Sequence, residues 1–155
     1  MAALHTSDKT SLHPVPTWRD RIATGLMLLA AVSAFIAFIS DVGTVAAASP
    51  ATLVVELWRW YGFFIFTALF VLLAFWPRRY PGIWELVLLD KAALSVTGLL
   101  LLQRGVEGAQ TILIADGLLA VVTLIAYILA KGYTGWARLL PFFLACRRRQ
   151  HKKDT

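Results

Sequence analysis

Five polar side chains lie within long apolar stretches of the 155-residue chain and are the residues best placed to do chemistry: Arg59, Asp90, Lys91, Asp116 and Tyr127. Carboxylates and a phenol in an apolar setting can pass protons, and charges of both signs can line a path for a polar solute. A charge at the centre of a bilayer costs about 2.5–3.5 kcal/mol on insertion scales, so each one is expected to have a partner or a functional role.

A helical rise of about 1.5 Å per residue sorts these side chains into two layers. Arg59 and Asp116 fall in one layer, which predicts an ion pair between the second and fourth apolar stretches. Asp90 and Lys91 fall in the other layer, where Tyr127 is placed to donate a hydrogen bond to either residue. Neighbours on a helix point about 100° apart, so Asp90 and Lys91 are not expected to face one partner.

A purely structural role is the alternative at each position. Arg59 is close enough to the membrane surface to reach water, or to pair with Glu56 one turn earlier. For Asp116, Asp90 and Lys91, a structural ion pair and a transport role both stay open. Glu85 is expected among the lipid head groups, beside Arg78 and Arg79. No residue is assigned as catalytic.

The residue types that carry metal and thiol chemistry are scarce. All three histidines, His5, His13 and His151, lie outside the apolar stretches, so no imidazole is expected to bind haem or a metal within them. A single cysteine excludes an intramolecular disulfide and a C-x-x-C redox pair. The sequence also lacks a P-loop, a G-x-S-x-G, an H-E-x-x-H and a dinucleotide fingerprint. We therefore expect no metal and no cofactor, and an enzyme is the less favoured class.

Four apolar stretches must position the polar residues: 21–40, 53–76, 83–103 and 111–130. Each has about the 20 residues that a helix needs to cross a hydrocarbon core of about 30 Å. Hydrophobic residues make up 59% of the chain, and the stretches lack the alternation of barrel strands. The short connections make consecutive helices antiparallel neighbours. These features predict an all-α, polytopic membrane protein, folded as an antiparallel bundle of four transmembrane helices.

Three regions follow from this pattern. Residues 1–18 are expected to form a flexible cytoplasmic tail, and residues 19–131 the four-helix transmembrane domain. Residues 132–155 combine aromatic and apolar side chains with many basic ones, which predicts a short interfacial helix followed by a basic tail. Cys146 lies in that tail directly before Arg147, a setting typical of S-acylation, with an inert thiol as the alternative.

The distribution of basic residues predicts the orientation, because cytoplasmic loops are enriched in Lys and Arg. Of the 15 basic residues, twelve lie in the two tails, at helix ends or in the middle connection: Lys9, Arg19, Arg21, Arg78, Arg79, Lys131, Arg138, Arg147, Arg148, Arg149, Lys152 and Lys153. Both termini are therefore expected in the cytoplasm, with Trp84 and Trp136 at the inner interface. Cleavage of a signal peptide near residues 45–48 is disfavoured, because the first apolar run of about 18 residues exceeds the usual 7–15.

Three function classes are compatible with these features. The most favoured is a noncatalytic accessory, assembly or lipid-interacting membrane component, because no catalytic constellation and no large extramembrane domain is present. The second is an oligomeric transporter of a small solute or ion that uses the intramembrane charges. The third is a membrane enzyme acting on a lipid. The expected partners are the bilayer and either further copies of the chain or another membrane protein, and not nucleic acid.

Overall fold

The computed structural model describes residues 17–138, and across that range the chain is helical with no β-strand. The elements are α1 (Trp18–Ser40), α2 (Val42–Ala46), α3 (Leu53–Phe75), α4 (Ile83–Gln103), α5 (Ala109–Ala130) and a 3-10 helix (Gly132–Arg138). The prediction of an all-helical fold is confirmed, and the four long helices begin and end within three residues of the predicted stretches.

Local signals explain where the helices begin. Thr17 and Asp20 form a capping box: the Thr17 side chain accepts the Asp20 backbone N–H, and the Asp20 carboxylate accepts the Thr17 N–H, each at 3.4 Å. Helix α1 therefore starts at Trp18. Helices α4 and α5 follow Gly82 and Gly108, whose φ angles of 94° and 78° lie in the left-handed region that glycine tolerates best.

Three helical segments are long and apolar enough to cross a membrane: Trp18–Ala46, which joins α1 and α2, Leu53–Phe75 and Ala109–Ala130. Their outer faces carry large exposed hydrophobic side chains, such as Leu29 on α1 and Leu118 on α5. This composition identifies the chain as a membrane protein. Helix α4 has a similar length of 21 residues, but it also carries Glu85, Asp90 and Lys91.

The long helices pack as two antiparallel pairs. At one end of the α1–α3 pair, the Trp60 indole N–H donates to the Phe38 carbonyl at 2.9 Å. At the other end, the Thr24 hydroxyl donates to the Ala74 carbonyl at 3.1 Å. Helix α4 packs along α5, and α1 also contacts α5, which joins the two pairs. Helices α3 and α4 touch only slightly, so the seam between them is open.

The core of the bundle consists mainly of small side chains, with a few large side chains packed between them. Helix α1 contributes mostly alanines and Met27, which let α3 and α5 approach it closely. Phe70 and Leu73 of α3, and Trp84 and Val87 of α4, are almost completely buried against them. The Trp84 ring is 1% exposed, and its N–H donates to the Pro77 carbonyl at 2.7 Å, so this side chain packs inside the bundle near the start of α4.

Some predicted features lie outside the described residues. These are residues 1–16 of the predicted tail and everything from Leu139 onward, which includes Cys146 and most of the predicted interfacial segment. Residues 17 and 18, assigned to the tail, instead cap and begin α1.

Helices α4 and α5 cross closely at a glycine. A Cβ atom added to Gly98 would lie 2.7 Å from the backbone nitrogen of Leu113 and 3.2 Å from the Ala109 carbonyl oxygen. Gly117 on α5 faces Ser95 on α4 in the same way, because a Cβ atom added there would lie 2.9 Å from the serine hydroxyl oxygen. Such close backbone approach is the usual basis of helix association in lipid.

We expect Gly98→Ala to lower the free energy of unfolding by about 1–3 kcal/mol, because the added methyl group overpacks a backbone contact that has no flexible neighbour. The measurement is unfolding by a denaturing detergent in mixed micelles, followed by circular dichroism. Gly25→Ala in α1 is the matched control, since nothing lies within 4 Å of its added Cβ. Equal stability of the two variants would contradict the close crossing of α4 and α5.

Candidate functional site

A cluster of three charged side chains lies near the middle of the α4–α5 pair. The Lys91 ammonium lies 3.0 Å from an Asp116 carboxylate oxygen and 3.3 Å from an Asp90 oxygen. It also lies 3.5 Å from the centre of the Phe66 ring on α3, a cation–π contact across the open seam. Lys91 is buried at 5% exposure. Its Cα lies about 12 Å along α4 from the first residue of the helix.

Asp90 and Lys91 have different surroundings, as expected of neighbours on a helix. The Lys91 side chain is 7% exposed and points between α5 and α3, whereas the Asp90 side chain is 42% exposed. The long lysine chain still brings its ammonium to Asp90. That carboxylate oxygen is buried and has no hydrogen bond, so its contact with Lys91 is one of charge only.

Arg59 belongs to a different cluster, and the predicted Arg59–Asp116 ion pair is wrong. The Arg59 guanidinium forms two hydrogen bonds to Asp41 at the end of α1, at 2.9 and 3.1 Å. It also pairs with Glu56 one turn earlier on α3, which is the structural alternative weighed from the sequence. Helix α3 packs on α1 along its length, so Arg59 meets the end of α1 and Asp116 meets α4 instead.

Tyr127 also has a partner other than the predicted ones. Its hydroxyl donates to Glu85 at 2.8 Å and not to Asp90 or Lys91. The observed helix ends explain this. Tyr127 lies about 4.5 Å from the end of α5 and Glu85 about 3 Å from the start of α4, whereas Asp90 lies about 10 Å from that start.

Glu85 is the residue that sequence reasoning missed. The same carboxylate oxygen that accepts the Tyr127 hydroxyl also accepts the Trp136 indole N–H at 2.9 Å. Glu85 thus links the 3-10 segment to the start of α4 and the end of α5, and within residues 17–138 it forms no ion pair with Arg78 or Arg79. The presence of a tyrosine, a tryptophan and a glutamate near three adjacent helix ends was the available signal.

Among the residues that the structure describes, the remaining ion pair joins Arg78 to Asp20 of the α1 capping box. This pair links the α3–α4 connection to the start of α1. The Arg78 and Asp20 side chains are both partly buried, at 35% and 20% exposure. One aspartate therefore both caps a helix and binds the neighbouring loop.

The charged side chains of α3, α4 and α5 are Glu56, Arg59, Glu85, Asp90, Lys91 and Asp116. Each of the six contacts an oppositely charged group or a hydrogen-bond donor of the same chain. Within residues 17–138, no group of three or more His, Cys, Asp or Glu is arranged to hold a metal ion. These contacts hold neighbouring helices together, and they leave few charged groups to bind a polar substrate.

Comparison of the chain with protein-family models, with curated proteins and with solved structures gives no match, so function is argued from the side chains.

We expect Glu85→Ala to speed backbone hydrogen exchange in residues 132–136 by about tenfold or more, because it removes two hydrogen bonds to a carboxylate. Mass-spectrometric hydrogen exchange in detergent micelles or nanodiscs measures this directly. Glu107→Ala is the matched control, because Glu107 is exposed in the α4–α5 connection. Unchanged exchange in the Glu85 variant would show that the 3-10 segment is held by other contacts.

Proposed function

We propose that this chain is a noncatalytic component of its membrane, an accessory, assembly or lipid-interacting protein with four transmembrane helices in an antiparallel bundle. The observation that carries the proposal is that each of the six charged side chains on α3, α4 and α5 already contacts an opposite charge or a hydrogen-bond donor within the chain itself. Charges that are already paired stabilise a bundle and leave few groups to bind or activate a substrate.

The proposal includes α4 as a transmembrane helix. Its 21 residues give a length of about 31 Å, which matches the hydrocarbon core. It lies along α5 from the Glu85–Tyr127 hydrogen bond to the Gly98 crossing. The ion pair between Lys91 on α4 and Asp116 on α5 offsets the cost of placing these two charges within the hydrocarbon core.

Both termini are proposed to be cytoplasmic. Arg19 and Arg21 at the start of α1, Arg79 before α4 and Lys131 after α5 all belong to one end of the antiparallel bundle. The opposite end has Arg104 beside Glu107. This asymmetry follows the positive-inside rule. The 3-10 segment is then the beginning of the proposed interfacial region, with Tyr133 and Trp136 half exposed at the inner surface.

A transporter is the second candidate, and one observation favours it. Asp90 and Asp116 share the single ammonium of Lys91, which leaves one excess negative charge near the middle of α4. An excess carboxylate at that depth can carry a proton or a cation. One protomer offers little room for a path, so this function requires several copies of the chain.

The test is native mass spectrometry of the protein extracted in mild detergent from its own membrane. We expect the chain to leave the membrane as a stoichiometric complex with another membrane protein or with retained lipid. A Lys91→Met variant extracted in parallel should have a lower free energy of unfolding than the wild-type chain. A Gln103→Met variant at the end of α4 should have the same free energy of unfolding as the wild-type chain.

A homo-oligomer that retains a small polar solute or ion would contradict the accessory role and support the transporter. Loss of that solute in Asp90→Asn, with the oligomer intact, would assign the solute to the excess carboxylate. A bare monomer with neither protein nor lipid bound would contradict both candidates.

A further inference from the structure

An apolar groove follows the open seam between α3 and α4. It has a volume of about 170 Å³ and is lined by Phe66 and Leu69 of α3 and by Ile83, Leu86 and Val87 of α4. The lining is almost entirely carbon. At its deep end, the contact of the Lys91 ammonium with the Phe66 ring joins the two helices. The groove therefore occupies only the half of the seam that leads to the α3–α4 connection.

An exposed cation lies in the connection directly before the α4 side of the groove. Ile83, the first residue of α4, follows Arg79 by four positions, and Arg79 is exposed in the connection that joins α3 to α4. Arg78 is bound to Asp20, whereas Arg79 makes no ion pair within the described residues and only approaches the Tyr80 ring. A cation at the membrane surface above an apolar groove complements a molecule with an anionic head and a hydrocarbon tail.

We propose that this groove binds an anionic phospholipid of the cytoplasmic leaflet, with one acyl chain against Leu69 and Leu86 and the phosphate at Arg79. The inference rests on the proposed function, because it requires the α3–α4 connection to face the cytoplasm. It adds a defined site and a ligand class to that function.

The size and depth of the groove favour a lipid chain over other occupants. A cavity of about 150 Å³ holds one benzene ring, and sites for drug-sized molecules measure about 300–1,000 Å³. The groove is thus too small to enclose such a molecule, but it accepts part of an acyl chain. Because it ends at Lys91, about 12 Å from the start of α4, it lies within a single leaflet.

The experiment is native mass spectrometry of the full chain released from nanodiscs that contain equal amounts of phosphatidylglycerol and phosphatidylcholine. We expect the wild-type chain to retain phosphatidylglycerol in preference to phosphatidylcholine. Arg79→Gln should reduce retention of phosphatidylglycerol about fivefold, the effect of one basic residue near an anionic surface. Arg104→Gln at the opposite end of α4 is its matched control and should change nothing.

A second pair of variants tests the acyl-chain part of the site. Leu69→Trp should fill the groove and reduce the retention of both lipids. Leu89→Trp introduces the same side chain on an α4 face that is 68% exposed and lines no part of the groove, so it should retain lipid as the wild-type chain does. Circular dichroism of all four variants confirms that each one is folded.

Equal phosphatidylglycerol retention by all four folded variants would overturn the lipid site. A dimer without bound lipid that is disrupted by Leu69→Trp would overturn it in favour of a second copy of the chain. Failure of the proposed function is detected separately, with Glu107→Cys in a Cys146→Ser background. Labelling of that cysteine in intact cells by an impermeant thiol reagent supports cytoplasmic termini, and labelling only after permeabilisation contradicts them.

Discussion

The cost of placing charge in an apolar environment is the constraint on which this structure depends. An isolated ammonium buried as completely as that of Lys91 is expensive, because little water reaches it. The chain meets this cost with Asp116 on α5, Asp90 on the same helix and the Phe66 ring on α3. Lys91 thereby determines which faces of three helices meet.

The same principle recurs at other heights of the bundle. Arg59 joins α3 to the end of α1 through Asp41, and Arg78 joins the α3–α4 connection to the start of α1 through Asp20. Glu85 accepts hydrogen bonds from Tyr127 and from Trp136 of the 3-10 segment at one end of the α4–α5 pair. Lipid removes most of the hydrophobic incentive for helices to associate, so polar contacts and close glycine packing take its place.

These contacts also explain why the seam between α3 and α4 stays open. Most of the polar contacts link α1 to α3 or α4 to α5, while α1 and α5 meet through alanines such as Ala30 and Ala126. Within residues 17–138, α3 and α4 contact each other only slightly, and the Lys91–Phe66 contact is a charged contact between them. The apolar groove lies in the part of this seam between that contact and the α3–α4 connection.

The helices could be predicted from the sequence because they depend on local composition. Runs of apolar residues, Pro77, Pro81 and Gly82 determine their ends with little help from the rest of the fold. Which charged side chains pair with each other could not be predicted in the same way. Counting residues gives the height of Asp116 or Arg59 along a helix, but it does not show which neighbouring helix each side chain faces. Glu85 was missed for a similar reason, because its partners come from α5 and from the segment after it.

The most direct test of this account is a double-mutant cycle on the ion pair between α4 and α5. The free energy of unfolding is measured in mixed micelles for Lys91→Met, Asp116→Leu and the combined variant. If the pair fastens the bundle, each single variant is destabilised because it leaves a charge without its partner, and the double variant loses less than the sum by at least about 1 kcal/mol. Additive losses would show that Lys91 and Asp116 act independently, and would contradict the central claim that paired charges hold these helices together.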